Sequence, residues 1–300
     1  MQPYWRNLVR FTIITIALAL LFLFFAIPAR MAWSLTHPVR APIDATPAQS
    51  GLPYENVSFN ARDGIQLSGW WIRGTTRADR VVILVHGYRN NKAALLDYAA
   101  FLARNGYSTL LVDLRGHGES ADAAVTFAAR EVNDVLGAVD WLASRPQSRG
   151  AQIAAWGQSL GAATVLRAAG EDARIRAVIA ESAFTSLREM VGTSFTTFTG
   201  LPAFPFAPMV VTMGEWFTGV NQDAVRPVDS IARIAPRAVF IVHGARDPIM
   251  PLAGAHALLN AAREPKQLWI LDDAAHGDIW FYHHEEYKER VLEFLEQGLK

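Results

Sequence analysis

The sequence predicts an α/β domain built on a mostly parallel sheet with helices on both faces. Three observations lead there. Apolar runs such as Val81–Gly87 (VVILVHG) and Arg237–Gly244 (RAVFIVHG) are continuous rather than alternating, as in strands buried on both sides. Stretches with helical spacing separate such runs, so strand and helix alternate over most of the chain. The 300 residues, 51% of them hydrophobic, also supply enough apolar material for one large core.

The elements follow in order. ENVSFNA (Glu55–Ala61) and IQLSGWWI (Ile65–Ile72) flank Arg62-Asp63-Gly64 and predict an antiparallel hairpin at the sheet edge. Val81–Gly87 is the first buried strand, followed by a helix over Ala93–Arg104. Strand Ser108–Asp113, helix Val132–Leu142, strand Gln152–Gly157, a helix from Gly161 onward and strand Arg176–Glu181 continue the alternation. Strands Arg237–Gly244 and Lys266–Asp272 enclose a helix around Leu252–Ala262, and a charged amphipathic helix from Glu285 closes the chain. Residues 184–227 interrupt this rhythm. They are rich in Phe and Pro and too long for a simple crossover, and they predict a lid over the strand C-termini, where open α/β sheets bind ligands.

The N-terminus carries a different signal. Phe11–Ile27 (FTIITIALALLFLFFAI) has no charge and is followed by Pro28. Tyr4, Trp5 and Trp33 flank it at a helical separation of roughly 40 Å, the thickness of a bilayer with its headgroups. The reading is an uncleaved transmembrane anchor over residues 1–30, with a cleaved signal peptide and a core helix as alternatives. IPARMAWS has no good small-x-small cleavage site, and only Thr12 and Thr15 interrupt the apolar surface. Arg6 and Arg10 before the span, against Arg30 and Arg40 after it, favour a single-pass membrane protein whose C-terminal domain is extracytoplasmic. Residues 31–53, with Pro38, Pro42, Pro47 and Pro53, read as an extended tether, and 54–300 as the folded domain.

Balanced charge, 28 basic against 28 acidic residues with no basic stripe, gives no reason to expect nucleic acid. The absence of cysteine excludes disulfides, a thiol nucleophile and Cys-ligated metal.

The chemistry centres on Gly157-Gln158-Ser159-Leu160-Gly161. The strand before it and the helix after it put Ser159 in a sharp turn where a nucleophile elbow needs its serine, and small neighbours are needed because side chains there would collide. The new helix also aims free N–H groups at any developing negative charge. Downstream, HGARDPIMP presents Asp247 and DDAAHGD presents His276, each just past a strand C-terminus. That Ser–Asp–His order suits a serine nucleophile, a histidine base and an orienting carboxylate. Glu181 is a rival for the carboxylate; Asp272 and Asp273 sit too close to His276 in sequence to orient its ring easily. The backbone N–H groups of Tyr88, after Gly87, and of Leu160 are the candidate oxyanion donors. His86 reads as a structural residue that holds this loop by hydrogen bonds, and His283 and His284 as solvated surface.

Together LVHGYRNN, LLVDLRGHGES, GQSLG, AESAFTSL, IVHGARDPIMP and DDAAHGD resemble the α/β-hydrolase superfamily, and more narrowly its Bem46-like serine hydrolases, many of them membrane-anchored. The resemblance covers Tyr54 to the C-terminus. It implies an α/β-hydrolase fold with an eight-stranded, mostly parallel sheet, Ser159, Asp247 and His276 as catalytic residues, and oxyanion donors at Tyr88 and Leu160. It also implies that Asp113, Arg115 and Gly116 fix the fold near the site. The single glycine before Tyr88 departs from the multi-glycine loop of some lipases. The expectation is a serine hydrolase that needs no metal or organic cofactor and cleaves an ester or thioester of an apolar acyl group. A peptidase of small peptides and a non-catalytic binding protein on the same fold are the alternatives.

Overall fold

The computed structural model describes residues 3–300. Its centre is one eight-stranded sheet: β1 (Glu55–Asn60), β2 (Gln66–Ile72), β3 (Arg77–Val85), β4 (Tyr107–Val112), β5 (Gln152–Gln158), β6 (Ile175–Glu181), β7 (Ala238–Gly244) and β8 (Lys266–Leu271). The spatial order is β1-β2-β4-β3-β5-β6-β7-β8, and only the β1–β2 and β2–β4 pairings are antiparallel. The continuous apolar runs have the expected reason. Successive residues of β3 go alternately to two cores, Val81, Ile83 and Val85 to one face and Val82 and Leu84 to the other, all five without solvent exposure.

The N-terminal helix is α1 (Pro3–Thr36). Helices α3 (Val132–Ser144), α4 (Leu160–Glu171) and α8 (Leu252–Ala261) cover one face of the sheet; α2 (Leu96–Arg104) and α9 (His284–Gly298) cover the other. Between β6 and β7 the chain forms α5 (Leu187–Thr199), α6 (Ala203–Thr218) and the short α7 (Pro227–Ile231). The insertion expected over 184–227 is largely helical.

Helix α1 passes through Pro28 and ends only at Thr36, so residues 31–36, expected as part of an extended tether, are helical. No glycine or proline lies between Ala29 and Thr36, and Pro38 bars His37 from helical geometry, which sets the end. From Tyr4 to Phe25 every residue of α1 is exposed. This helix is long and apolar enough to cross a membrane. The following segment is tied to the domain rather than loose. Arg40 donates to the carbonyls of Gly118 and Ser120 at 3.0 and 2.7 Å, and Asn91 Nδ2 donates to those of Ala41 and Pro42 at 3.1 and 3.0 Å.

The loops after β3 and β4 are locked together by a buried ion pair. Lys92 Nζ lies 2.6 Å from Asp113 Oδ2, both side chains fully buried, while the Lys92 N–H donates to Asp113 Oδ1 at 2.7 Å. Arg115 in turn forks onto Asp134 and Asp63. Removing one partner of such a pair strands an uncompensated charge in the interior. Lys92→Met is expected to cost about 3–5 kcal/mol of folding free energy, read as a lowered midpoint in urea unfolding of the full chain.

Candidate active site

Ser159 sits between the end of β5 and the start of α4 with φ 51° and ψ −112°, a positive φ that a serine adopts only when its surroundings impose it. The two glycines around it show what imposes it. A Cβ on Gly157 would lie 2.3 Å from Gly161, and one on Gly161 would lie 2.2 Å from the Val85 carbonyl of β3. The collision argued from the sequence is thus real at both positions: strand and helix touch backbone to backbone, and the serine between them is pushed out of the turn. Its N–H donates to the Glu181 carbonyl at 2.8 Å, which fixes the turn to β6.

His276 reaches Ser159 from the loop after β8. Its Nε2 lies 3.0 Å from Ser159 Oγ, and its Nδ1 lies 2.7 Å from Asp247 Oδ2. Asp247, in the loop after β7, accepts with its other oxygen from the N–H groups of Ile249 and Met250, both at 2.8 Å. Burial pushes its carboxyl up, but the hydrogen bonds from His276 and these amides outweigh that, and its pKa lies below the ordinary carboxylate value. An ionised Asp247 only accepts, so Nδ1 of His276 carries the ring proton and Nε2 is left to accept from the Ser159 hydroxyl. Residues separated by 117 positions are brought together in the order read from the sequence.

The other carboxylate considered there, Glu181, points elsewhere. It is buried toward the face covered by α2 and α9, where Oε2 accepts from Tyr287 and Tyr98 at 2.8 and 3.3 Å and Oε1 from Gln158 at 3.0 Å. Asp273 pairs with His283 on the surface. Tyr98, Gln158 and Tyr287 were not singled out in the sequence. Gln158 alone had a signal, its place inside the Gly157–Gly161 motif.

Gly87 packs against Ser159: a Cβ there would sit 3.5 Å from Ser159 Cβ. Tyr88 therefore follows directly beside the serine, and Leu160 opens α4 with an N–H that has no acceptor within the helix. His86 is buried with both ring nitrogens engaged, Nε2 accepting from the Leu114 N–H at 3.1 Å and Nδ1 donating to the Gly87 carbonyl at 2.7 Å. Burial pushes its pKa down to about 4, so it holds this loop as a neutral ring.

Above Ser159 and Leu160 opens a cavity of about 410 Å³. Phe184, Leu187, Met190, Val191, Phe195 and Val210 from the β6–β7 insertion make much of its wall, and Arg89 is the one charged residue along it. The last turns of α1 complete it, a contribution that nothing before Pro38 announced. No cluster of residues suited to hold a metal ion occurs among the described residues.

Comparisons with known proteins agree with this architecture. The sequence model of the S33 serine aminopeptidase family matches residues 76–219. Protein YfhR of Escherichia coli is 27% identical over 252 residues, which span 82% of this chain and 81% of YfhR. The solved esterase Pf2001 of Pyrococcus furiosus superposes with a TM-score of 0.76 at 27% identity, over 89% of this chain and 99% of that one. The chain belongs to the α/β-hydrolase superfamily. Est1E of Butyrivibrio proteoclasticus, solved with ferulic acid, shares the fold at a TM-score of 0.63 and 21% identity, covering 81% of this chain and 98% of its own.

Within this α/β hydrolase, Glu181 is the group that pH tests most directly. Burial, only partly offset by the hydrogen bonds from Tyr287, Gln158 and Tyr98, pushes its pKa up to about 7 from an ordinary 4.5. The folded chain thus keeps a proton that the unfolded chain releases between those values, so this group's contribution falls as pH rises through that window and is level above it. Glu181→Gln keeps the shape and removes the titration. Its stability relative to wild type is expected to rise by on the order of 3 kcal/mol between about pH 5 and about pH 8, measured by urea unfolding of both proteins across that range.

Proposed function

We propose that this chain is a membrane-anchored serine hydrolase that cleaves carboxylic ester or thioester bonds of apolar acyl substrates through an acyl-enzyme. The observation that carries the reading is the continuous relay from Ser159 Oγ through His276 to Asp247, at 3.0 and 2.7 Å. Ser159 attacks the carbonyl carbon while His276 takes the hydroxyl proton. Asp247 holds the ring tautomer and stabilises the imidazolium that forms. The N–H groups of Tyr88 and Leu160 receive the negative oxygen, each donor worth about 10²–10³ in rate. His276 then protonates the departing alcohol or thiol, and a water deprotonated by the same ring releases the acid.

The apolar cavity beside Ser159 supports an acyl chain as the group transferred. The S33 family description raises a peptidase as the second reading. A free amino terminus needs an anionic partner, and the one charged residue on this wall, Arg89, has the wrong sign. The esterase reading is favoured for that reason.

Helix α1 supports the anchor. It is apolar on nearly all sides from Phe11 to Ile27, and apart from Ala26 and the contact of Phe24 with Phe206 it leaves that surface exposed, an arrangement costly in water and favourable in hydrocarbon. The Arg6 and Arg10 side is read as cytoplasmic and the folded domain as extracytoplasmic.

Two measurements test this reading. A fluorophosphonate probe is expected to label the full chain in detergent, and Ser159→Ala to abolish the label and lower kcat on a p-nitrophenyl ester about 10⁴-fold or more; equal labelling of the variant would remove Ser159 from its role. A reporter active only outside the cytoplasm, fused to the C-terminus, is expected to give signal, and silence would reverse the orientation.

A further inference from the structure

Resting on the reading of Ser159 as an acyl-transfer nucleophile, we propose that the last turns of α1 form one wall of the acyl-chain subsite. In this proposal Ala32 and Leu35 set the chain length that the protein accepts. The anchor helix is then part of the substrate-binding site as well as the membrane attachment.

Four residues of the argument come from α1 itself: Met31, Ala32, Leu35 and Thr36 all face the cavity that contains Ser159. They are held there firmly. Tyr88, whose N–H neighbours Ser159, donates its hydroxyl to the Leu35 carbonyl at 2.8 Å, and the Val125 N–H donates to the Thr36 carbonyl at 2.7 Å. Thr36 and Ala32 are buried, at 5% and 1% exposure, in the part of the helix that leaves the apolar span.

The order along the helix gives the wall a direction. Leu35 lies at the hydroxyl end of Tyr88, whose backbone follows the Gly87 that packs against Ser159. Ala32 lies about one helical turn, roughly 5 Å, further away, packed with Phe195, Ala207 and Val210 of the insertion. Helix α6 runs parallel to α1 alongside it: the Trp33 and Phe217 rings are 5.6 Å apart, and those of Phe24 and Phe206 are 5.9 Å apart. The insertion therefore reaches down along the apolar span as far as Phe24. From Met190 to Gly214 it carries no charged residue, and Phe198, Phe204 and Trp216 are exposed. A cavity walled by these two elements suits a hydrocarbon chain, and a small residue at position 32 leaves it room. A larger side chain there shortens the space.

The test uses the full chain in detergent micelles and the ratio of kcat/KM for p-nitrophenyl dodecanoate to that for p-nitrophenyl butyrate. Ala32→Leu is expected to lower this ratio about tenfold, the effect of excluding roughly two methylenes. Ile27→Ala, on the exposed side of the same helix, is expected to keep the wild-type ratio. A ratio unchanged in Ala32→Leu, with a melting temperature near that of wild type, overturns the proposal. If Ala32→Leu does not fold, Leu35→Val decides. Widening the wall at Leu35 raises the ratio under the proposal, and an unchanged ratio again overturns it.

Should the wild type hydrolyse neither ester and take no fluorophosphonate label, the catalytic reading fails while the subsite can still be measured. A fluorescent C18 fatty acid is then titrated into wild type and Ala32→Leu. Affinity weakened about tenfold in the variant supports the α1 wall, and equal affinity rejects it.

Discussion

Everything at the site depends on how closely α4 approaches the sheet. Gly161 lies so near β3 that a single Cβ would fall 2.2 Å from the Val85 carbonyl, and Gly157 is as tightly pressed against Gly161. With helix and strand in backbone contact, the turn between them has no relaxed path, and Ser159 takes a positive φ. The strain is held by a fully buried core on both faces of β3 and β5. The serine is therefore projected from a rigid frame, at the edge of the sheet where the loops after β7 and β8 present Asp247 and His276.

Around that frame the polar interior keeps loops in place. Lys92 with Asp113 and His86 with Leu114 join the loop carrying Tyr88 to the one after β4, and Arg115 ties the latter to α3. Each of these groups is buried with its hydrogen bonds made, so each holds position at little cost from unsatisfied polarity. The Glu181 network with Tyr98, Gln158 and Tyr287 does the same on the far side of the turn. The N-terminal helix then enters this system from outside, because the hydroxyl of Tyr88 is bonded to the Leu35 carbonyl. The shape of the cavity thereby depends on the same helix that is long and apolar enough to cross a membrane.

Much of this was legible in the residues. The continuous runs of β3 to β7 marked doubly buried strands, the Asp63-Gly64 turn marked the hairpin, and the spacing of Ser159, Asp247 and His276 relative to strand ends located all three on one edge. Those features are local, since periodicity and turn chemistry act over a few residues. Helix α1 was legible only as far as Pro28, where a proline ordinarily ends a helix in water; packing of the following turns on α6 carries it on to Thr36.

The sequence by itself determined the alternation of elements, the apolar span and the order of the candidate catalytic residues, because each is written in neighbouring side chains. Tertiary structure alone decided which carboxylate meets His276. Asp247 and Glu181 both follow from buried strands, and only their directions in space separate the one bonded to the imidazole from the one enclosed by two tyrosines. Tertiary structure also decided that Ala32 and Leu35 face the cavity. That placement arises from contacts between residues more than 150 positions apart, and no local pattern records such a contact.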